Sequence, residues 1–214
     1  MNQGNSAPAD PRRVVLASSS IYRRALLERL CVPFDWRAPD IDETVGEFES
    51  PDAAVRRLGA VKARTVARFF PRALVIGGDQ VAMRDGVIVG KPHTKGVASE
   101  QLARASGREV TFLSSVAAFD SGTGSMLSEV VPVTVRFRTL SEQEIDRYLD
   151  AERPFDCAGS FKCEGLGIAL FEEILSTDPT ALTGLPLIAL NRLLRRHGFD
   201  VLAAVSAQRG RSVQ

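Results

Sequence analysis

The chain has 214 residues, with 27 Lys and Arg against 26 Asp and Glu, for a formal net charge of +1. Hydrophobic residues make up 44% and charged residues 25%, the balance of an ordinary globular protein, and a chain of this length buries roughly 70% of its unfolded surface without a disulfide or metal staple. The near-neutral total excludes a simple basic nucleic-acid-binding module and a polybasic membrane anchor, while a small anionic ligand stays open because a basic site can sit on a neutral whole.

No apolar run reaches the roughly 18–20 residues of a membrane span. Met1 to Arg13 is polar and lacks the apolar segment of a signal peptide. The three cysteines, Cys31, Cys157 and Cys163, have no CxxC spacing, and only two histidines, His93 and His197, are present. That pattern predicts a reducing cytoplasm and no zinc site. A cytoplasmic protein with neither a membrane nor a nucleic-acid partner is the expectation.

Residues 1–11 read as a disordered tail, residues 12–203 as a single domain, and residues 204–214 as a flexible tail. Arg13 to Ala17 is a short apolar run, predicting a buried strand. Three serines follow, then a helix with Leu26, Leu27 and Leu30 on one face and Ser20 or a neighbour as its cap. Val32 to Ala38 is a second strand candidate. Ser50-Pro51 opens a helix through about Phe69. Leu74 to Val81 is apolar but interrupted by Gly77, Gly78 and Asp79. Asp85-Gly86 predicts a hairpin turn between Val81–Met83 and Val87–Val89.

Thr94 starts a helix ending near Gly107. Glu109–Phe119 and Val130–Phe137 are β-rich and predict an antiparallel pair. Ser141 and Glu144 form a capping-box pattern for a helix through about Asp150. Ile168 to Phe171 suggests a short strand. Pro186 opens a final helix with Leu187, Leu190 and Leu194 on one face and Gly198 as its stop. The mixture is α/β with a mixed sheet.

Five segments could carry chemistry. The turn from Ser18 to Arg24 joins a strand to a helix, where free N–H groups and the helix dipole attract an anion. Serine hydroxyls and Arg23 and Arg24 strengthen that reading, although the glycines and lysine of a Walker A loop are absent. A serine-capped helix with solvated arginines is the plainer alternative. Asp40, Asp42 and Glu43 could hold Mg²⁺ or form an ordinary acidic loop. Gly77, Gly78 and Asp79 suggest close backbone approach by a ligand, or a bulge with Asp79 in a turn. Lys91, before Pro92, could meet a phosphate or simply occupy an exposed turn. Cys157 to Gly165 carries Lys162 and Glu164 among small residues. Those two charges could meet a phosphate and a base edge or pair with each other, and the cysteines read as packing residues.

Taken in order, LASSSIYRRALL, DIDET, VKAR, IGGDQVAM, GKP, CAGSFKCEGLGI and GLPLIAL resemble the Maf family of nucleotide pyrophosphatases. The resemblance runs from about Arg13 to Leu202. It is strongest to the branch acting on 7-methyl-GTP, through Tyr22, Gln80 and Glu164. Ile21 stands where the family usually has Pro, and Tyr22 where this branch usually has Trp. The resemblance implies an elongated α/β fold, a mixed sheet with flanking helices, and two lobes around a cleft. It implies hydrolysis of a nucleoside triphosphate between the α- and β-phosphates, a divalent cation (Mg²⁺, Mn²⁺ or Co²⁺), and a homodimer as the common assembly.

Roles follow from the same resemblance. Asp79 is the expected proton acceptor, with Glu43, Lys62 and Lys91 as catalytic partners and Glu43 and Asp79 as metal ligands. Ser18, Ser20, Arg23, Arg24 and Lys162 are expected to bind substrate, and Tyr22, Gln80 and Glu164 to select the base. Hydrolysis of dTTP, UTP or another modified nucleotide is the enzymatic alternative. A nucleotide-binding regulator of septum formation is the alternative from another class.

Overall fold

The computed structural model describes residues 12–211. An eight-stranded mixed sheet is flanked by helices on both faces. Strand β1 (Arg13–Ala17) lies between β2 (Phe34–Arg37) and β3 (Ala73–Gly77), parallel to both. Alternation along β1 sends Val14 and Leu16 to one face and Val15 and Ala17 to the other. The first pair joins the main core, and the second packs with Ala63, Val66 and Ala67 of helix α2 (Pro51–Ala67).

The expected run Leu74–Val81 is two strands. β3 stops at Gly77, and β4 (Gln80–Arg84) begins after Gly78 and Asp79. Both pair with the long strand β6 (Glu109–Asp120) in one register, Gly77 opposite Ala117 and Gln80 opposite Ser114. β4 turns through Asp85-Gly86 into β5 (Val87–Val89), the hairpin that the sequence predicts. Along its other edge β6 pairs with β7 (Ser125–Phe137), and β7 with β8 (Phe171–Ser176). β7 starts five residues earlier than its β-rich core suggests, because the hairpin turn occupies only residues 121–124.

The helix starts obey local capping chemistry. Ser20 caps α1 (Ile21–Glu28), Ser50 caps α2, and Thr94 caps α3 (Lys95–Ala105). Ser141 and Glu144 complete a reciprocal capping box on α4 (Glu142–Glu152). Pro186 precedes α5 (Leu187–Arg196), which buries Leu187, Leu190, Leu193 and Leu194. One expectation fails here. Ile168 lies in a 3-10 helix, Leu166–Leu170, and β8 begins at Phe171. Helix α6 spans Val201–Arg211 and so enters the segment expected as a tail, with the Asp200 carboxylate accepting from Leu202 and Ala203 N–H. The tail expected over residues 1–11 lies outside the described residues. Among the described residues no helix is long and apolar enough to cross a membrane.

The glycines between β3 and β4 have a packing cause. A Cβ at Gly77 would stand 2.1 Å from the Gly59 carbonyl oxygen, and one at Gly59 would stand 2.7 Å from Ser115 Oγ. At Gly78 it would meet the Ser115 carbonyl oxygen at 2.7 Å. The close backbone approach expected of a ligand is therefore made by helix α2 and strand β6. Gly77→Ala should push α2 off the sheet. Overpacking of this kind costs about 1–3 kcal/mol, so a calorimetric melting midpoint several degrees below the parent is expected. An unchanged midpoint would contradict the close packing.

Candidate active site

A cleft of about 570 Å³ opens where the β1–α1 turn, α2, the β3–β4 break and two late loops meet. Ser18, Ser20, Tyr22, Arg23, Glu43, Lys62, Asp79, Gln80, Lys91 and Glu164 all line it. These residues span more than 140 positions of sequence, and only the sheet topology brings them together.

The β1–α1 turn supplies donors. Ser20 Oγ accepts from Arg23 N–H at 3.3 Å, and Ser18 Oγ accepts from Ser20 N–H at 3.1 Å. Each hydroxyl oxygen thereby holds the turn and keeps its own O–H to donate. The first N–H groups of α1 have no intrahelical acceptor. Arg23 donates its Nε to the Gly184 carbonyl at 2.8 Å, which leaves both terminal nitrogens of the guanidinium. Burial lowers the pKa of Arg23, and the charges of Asp79 and Glu43 oppose that shift.

Lys62 is the centre of the site. Its ammonium is buried at 5% side-chain exposure, 2.7 Å from Asp79 Oδ1 and 3.0 Å from Glu43 Oε2. Asp79 is itself nearly buried, with its N–H donating to Ser115 Oγ at 2.9 Å. Glu43 comes from the irregular stretch before α2. Arg57 holds that stretch by two 2.7 Å bonds to Glu49 and a 3.0 Å bond to the Thr44 carbonyl. The Arg57 guanidinium, with the Gly46 N–H, holds the Glu49 carboxyl down at about 2. Of the three acids expected there, Glu43 alone faces the cleft. Asp42 folds back onto Thr44, accepting from its N–H at 2.9 Å and its hydroxyl at 2.6 Å.

The far wall is acidic. Burial pushes the Tyr22 phenol up to about 12, and Cys157, Asp156 and Glu164 add to the rise. Burial likewise pushes the Cys157 thiol to about 12 and the Cys163 thiol to about 11. Both thiols are half-buried on the cleft wall, and Cys163 also packs against the main core. They donate to carboxylates, Cys157 to Asp156 at 3.5 Å and Cys163 to Glu164 at 3.2 Å.

Two expected cations lie elsewhere. Arg24 does not line the cleft; its guanidinium stacks 4.2 Å from the Trp36 ring centroid. Arg24 stands about 100° further round the helix than Arg23, which turns it out of the cleft and over Trp36. Lys162 does not line the cleft either. Its ammonium donates to the Glu152 carbonyl at 3.0 Å and lies 3.6 Å from the Glu152 carboxylate, at the negative end of α4. Asp156 and Thr183 of the wall fall outside the quoted motifs, each just before one: Asp156 precedes the string that starts at Cys157, and Thr183 precedes Gly184, which opens GLPLIAL in the loop before α5. A glycine just before a Leu-Pro helix start is the one local signal for that loop.

Glu43 and Asp79 are hard oxygen donors, and Lys62 engages one oxygen of each. Among the described residues no group of three or more His, Cys, Asp or Glu gathers as a complete metal cage. Two carboxylates suit Mg²⁺, which takes one or two from protein and completes its shell with water and substrate phosphates.

Comparison with known proteins places this cleft in context. Residues 13–197 match the family model described as Maf-like protein. A Burkholderia lata protein named 7-methyl-GTP pyrophosphatase is 53% identical over 202 residues, covering 93% of this chain and 96% of its own length. Proteins of the same name from Pseudomonas aeruginosa and Pseudoalteromonas translucida are 52% and 47% identical. They cover 88% and 90% of this chain, and 98% and 96% of their own lengths. With its family match spanning nearly every described element and its relatives aligned almost end to end, the chain belongs to the Maf family.

Proposed function

We propose that the chain hydrolyses 7-methyl-GTP to 7-methyl-GMP and pyrophosphate. One observation carries this reading: the cleft divides its charge. Neighbouring α1 residues address its two parts, Arg23 beside the Lys62, Asp79 and Glu43 cluster and Tyr22 beside Asp156 and Glu164. A methylated guanine nucleotide has the complementary division, an anionic phosphate chain and a cationic base. The names of the relatives at 47–53% identity agree with it.

Ser18, Ser20, Arg23 and Lys91 hold phosphate oxygens at the N-terminus of α1, where N–H groups and the helix dipole favour an anion. Lys62 keeps Asp79 and Glu43 side by side. A divalent cation held by Glu43 and Asp79 would neutralise phosphate charge and polarise a phosphoryl oxygen. Asp79 takes the proton of the attacking water. Positioning and charge stabilisation account for most of the rate in such displacements. Lys162 and Arg24 act from outside the cleft, Lys162 by holding the loop that presents Glu164 against α4.

Glu164 accepts from the N1–H and amino group of guanine, an edge where a pyrimidine carbonyl offers no donor. Asp156 adds negative charge on the same wall. The Tyr22 ring attracts a cationic base by roughly 0.5–2 kcal/mol.

Asp79→Asn should lower pyrophosphate release from 7-methyl-GTP by about 10²–10⁴-fold, the usual worth of a general base; a variant that keeps half the parent rate removes Asp79 from the reaction. Glu164→Gln should reduce the preference for 7-methyl-GTP over GTP by about tenfold, because the cationic ring loses an anionic partner that neutral guanine uses only as a hydrogen-bond acceptor. An unchanged ratio would show that Glu164 does not sense the charge of the base. Tyr22 works as a neutral phenol. With a folded pKa near 12 against about 10 unfolded, its contribution to stability is complete below pH 10 and is lost as pH rises towards 12. Ultraviolet titration should therefore find no Tyr22 phenolate in the folded protein at pH 10, with Tyr22→Phe as the reference.

A further inference from the structure

Gln80 lines the cleft, yet its carboxamide nitrogen is occupied by the protein. Nε2 lies 2.8 Å from Ser114 Oγ, 2.9 Å from the Leu182 carbonyl oxygen and 3.1 Å from the Ala181 carbonyl oxygen. Three oxygens around one end of the amide settle which end is nitrogen. Ser114 is fully buried and donates its own hydroxyl to the Ala181 carbonyl at 2.7 Å. Because Gln80 and Ser114 face each other across β4 and β6, the sheet grips the loop Ala181–Gly184 from two adjacent strands.

The same loop holds Arg23. The Gly184 carbonyl accepts its Nε at 2.8 Å. Gly184 has φ +105°, a conformation that favours glycine, and a Cβ there would stand 3.6 Å from Arg23 Nε and 3.8 Å from Gln80 Oε1. Just before the loop, Asp178 Oδ2 accepts from the N–H groups of Ile188 and Ala189 at the start of α5. The approach to the loop is thus tied to α5, and Gln80 with Ser114 holds Ala181 and Leu182 within it.

We infer that Gln80 is a positioning residue, and Ser114 with it. Together they fix the loop Ala181–Gly184, and the Gly184 carbonyl then sets the guanidinium of Arg23 on the phosphate part of the cleft. The resemblance assigns Gln80 to base choice; its bonds lead to Arg23 instead. The inference rests on the proposed function only in taking the bound anion to be a phosphate chain.

Inorganic tripolyphosphate presents that chain without a base, so it separates phosphate positioning from base reading. Its affinity is measured by calorimetry on the parent, Gln80→Met, Ser114→Ala and the double variant, with melting midpoints alongside. Gln80→Met keeps the volume and removes the donors. It should weaken tripolyphosphate by about tenfold, raise KM for 7-methyl-GTP and GTP alike, and leave their ratio and the melting midpoint near the parent values. Ser114→Ala should act in the same direction. The double variant should lose less than the product of the two single effects, as members of one network do. Unchanged tripolyphosphate affinity with a collapsed nucleotide ratio would overturn the inference and make Gln80 a base reader. If Gln80→Met fails to fold, Ser114→Ala decides by the same measurement. A parent protein that binds tripolyphosphate but does not hydrolyse 7-methyl-GTP would defeat the proposed function and leave this test standing.

Discussion

An ammonium group removed from water needs anionic partners, and Lys62 has two. At 5% side-chain exposure it lies within 3.0 Å of both Asp79 and Glu43. Asp79 is the buried one of the two, and removing Lys62 would leave that carboxylate uncompensated, a loss of about 3–5 kcal/mol. The pairing exists only because α2 lies almost against the sheet. Gly59 on the helix and Gly77 and Gly78 at the strand break leave no room for a Cβ between them. That contact delivers the lysine from the helix to the carboxylate at the break, one residue before β4 begins.

The remaining parts of the site are set around this pair. Arg57, within the first two turns of α2, clamps Glu49 and Thr44 and so carries the Glu43 segment with the same helix. The β3–β4 break leaves Asp79 between two strands that keep one register against β6. Gln80, the next residue, reaches across to the loop before α5. A single strand interruption therefore positions the carboxylate on one side and the Arg23 support on the other.

Charge separation within the cleft has an equally local origin. Tyr22 and Arg23 are consecutive on α1 and diverge by about 100°, so one turn of helix serves two chemically different ends. Arg24, a further step round, leaves the cleft and lies over Trp36. The thiols of Cys157 and Cys163 donate to the acids beside them, and their raised pKa values keep them neutral donors near neutral pH.

Much of this was legible in the residues themselves. Ser20, Ser50, Thr94 and Ser141 cap helices where their spacing says, because an N-cap bond closes within three residues. The Asp85-Gly86 hairpin and the apolar face of α5 are likewise short-range. The motif series contains Asp79, Lys62, Glu43 and Arg23, which the fold brings to one cleft. What neighbours along the chain could not decide was the partner across the fold. Lys91 reaches the cleft while Lys162 turns to the end of α4, and both are lysines beside small or rigid residues. Gly77 and Gly78 announced a close approach, but only packing shows that α2 and β6 make it. The loop Ala181–Gly184 gave almost no local sign, since its role depends on Gln80, Ser114 and Arg23 from three distant segments. Caps, turns and amphipathic faces are local free-energy choices and were readable from sequence. Where each charge ends up is a competition among partners far apart in the chain, and only the tertiary structure decides it.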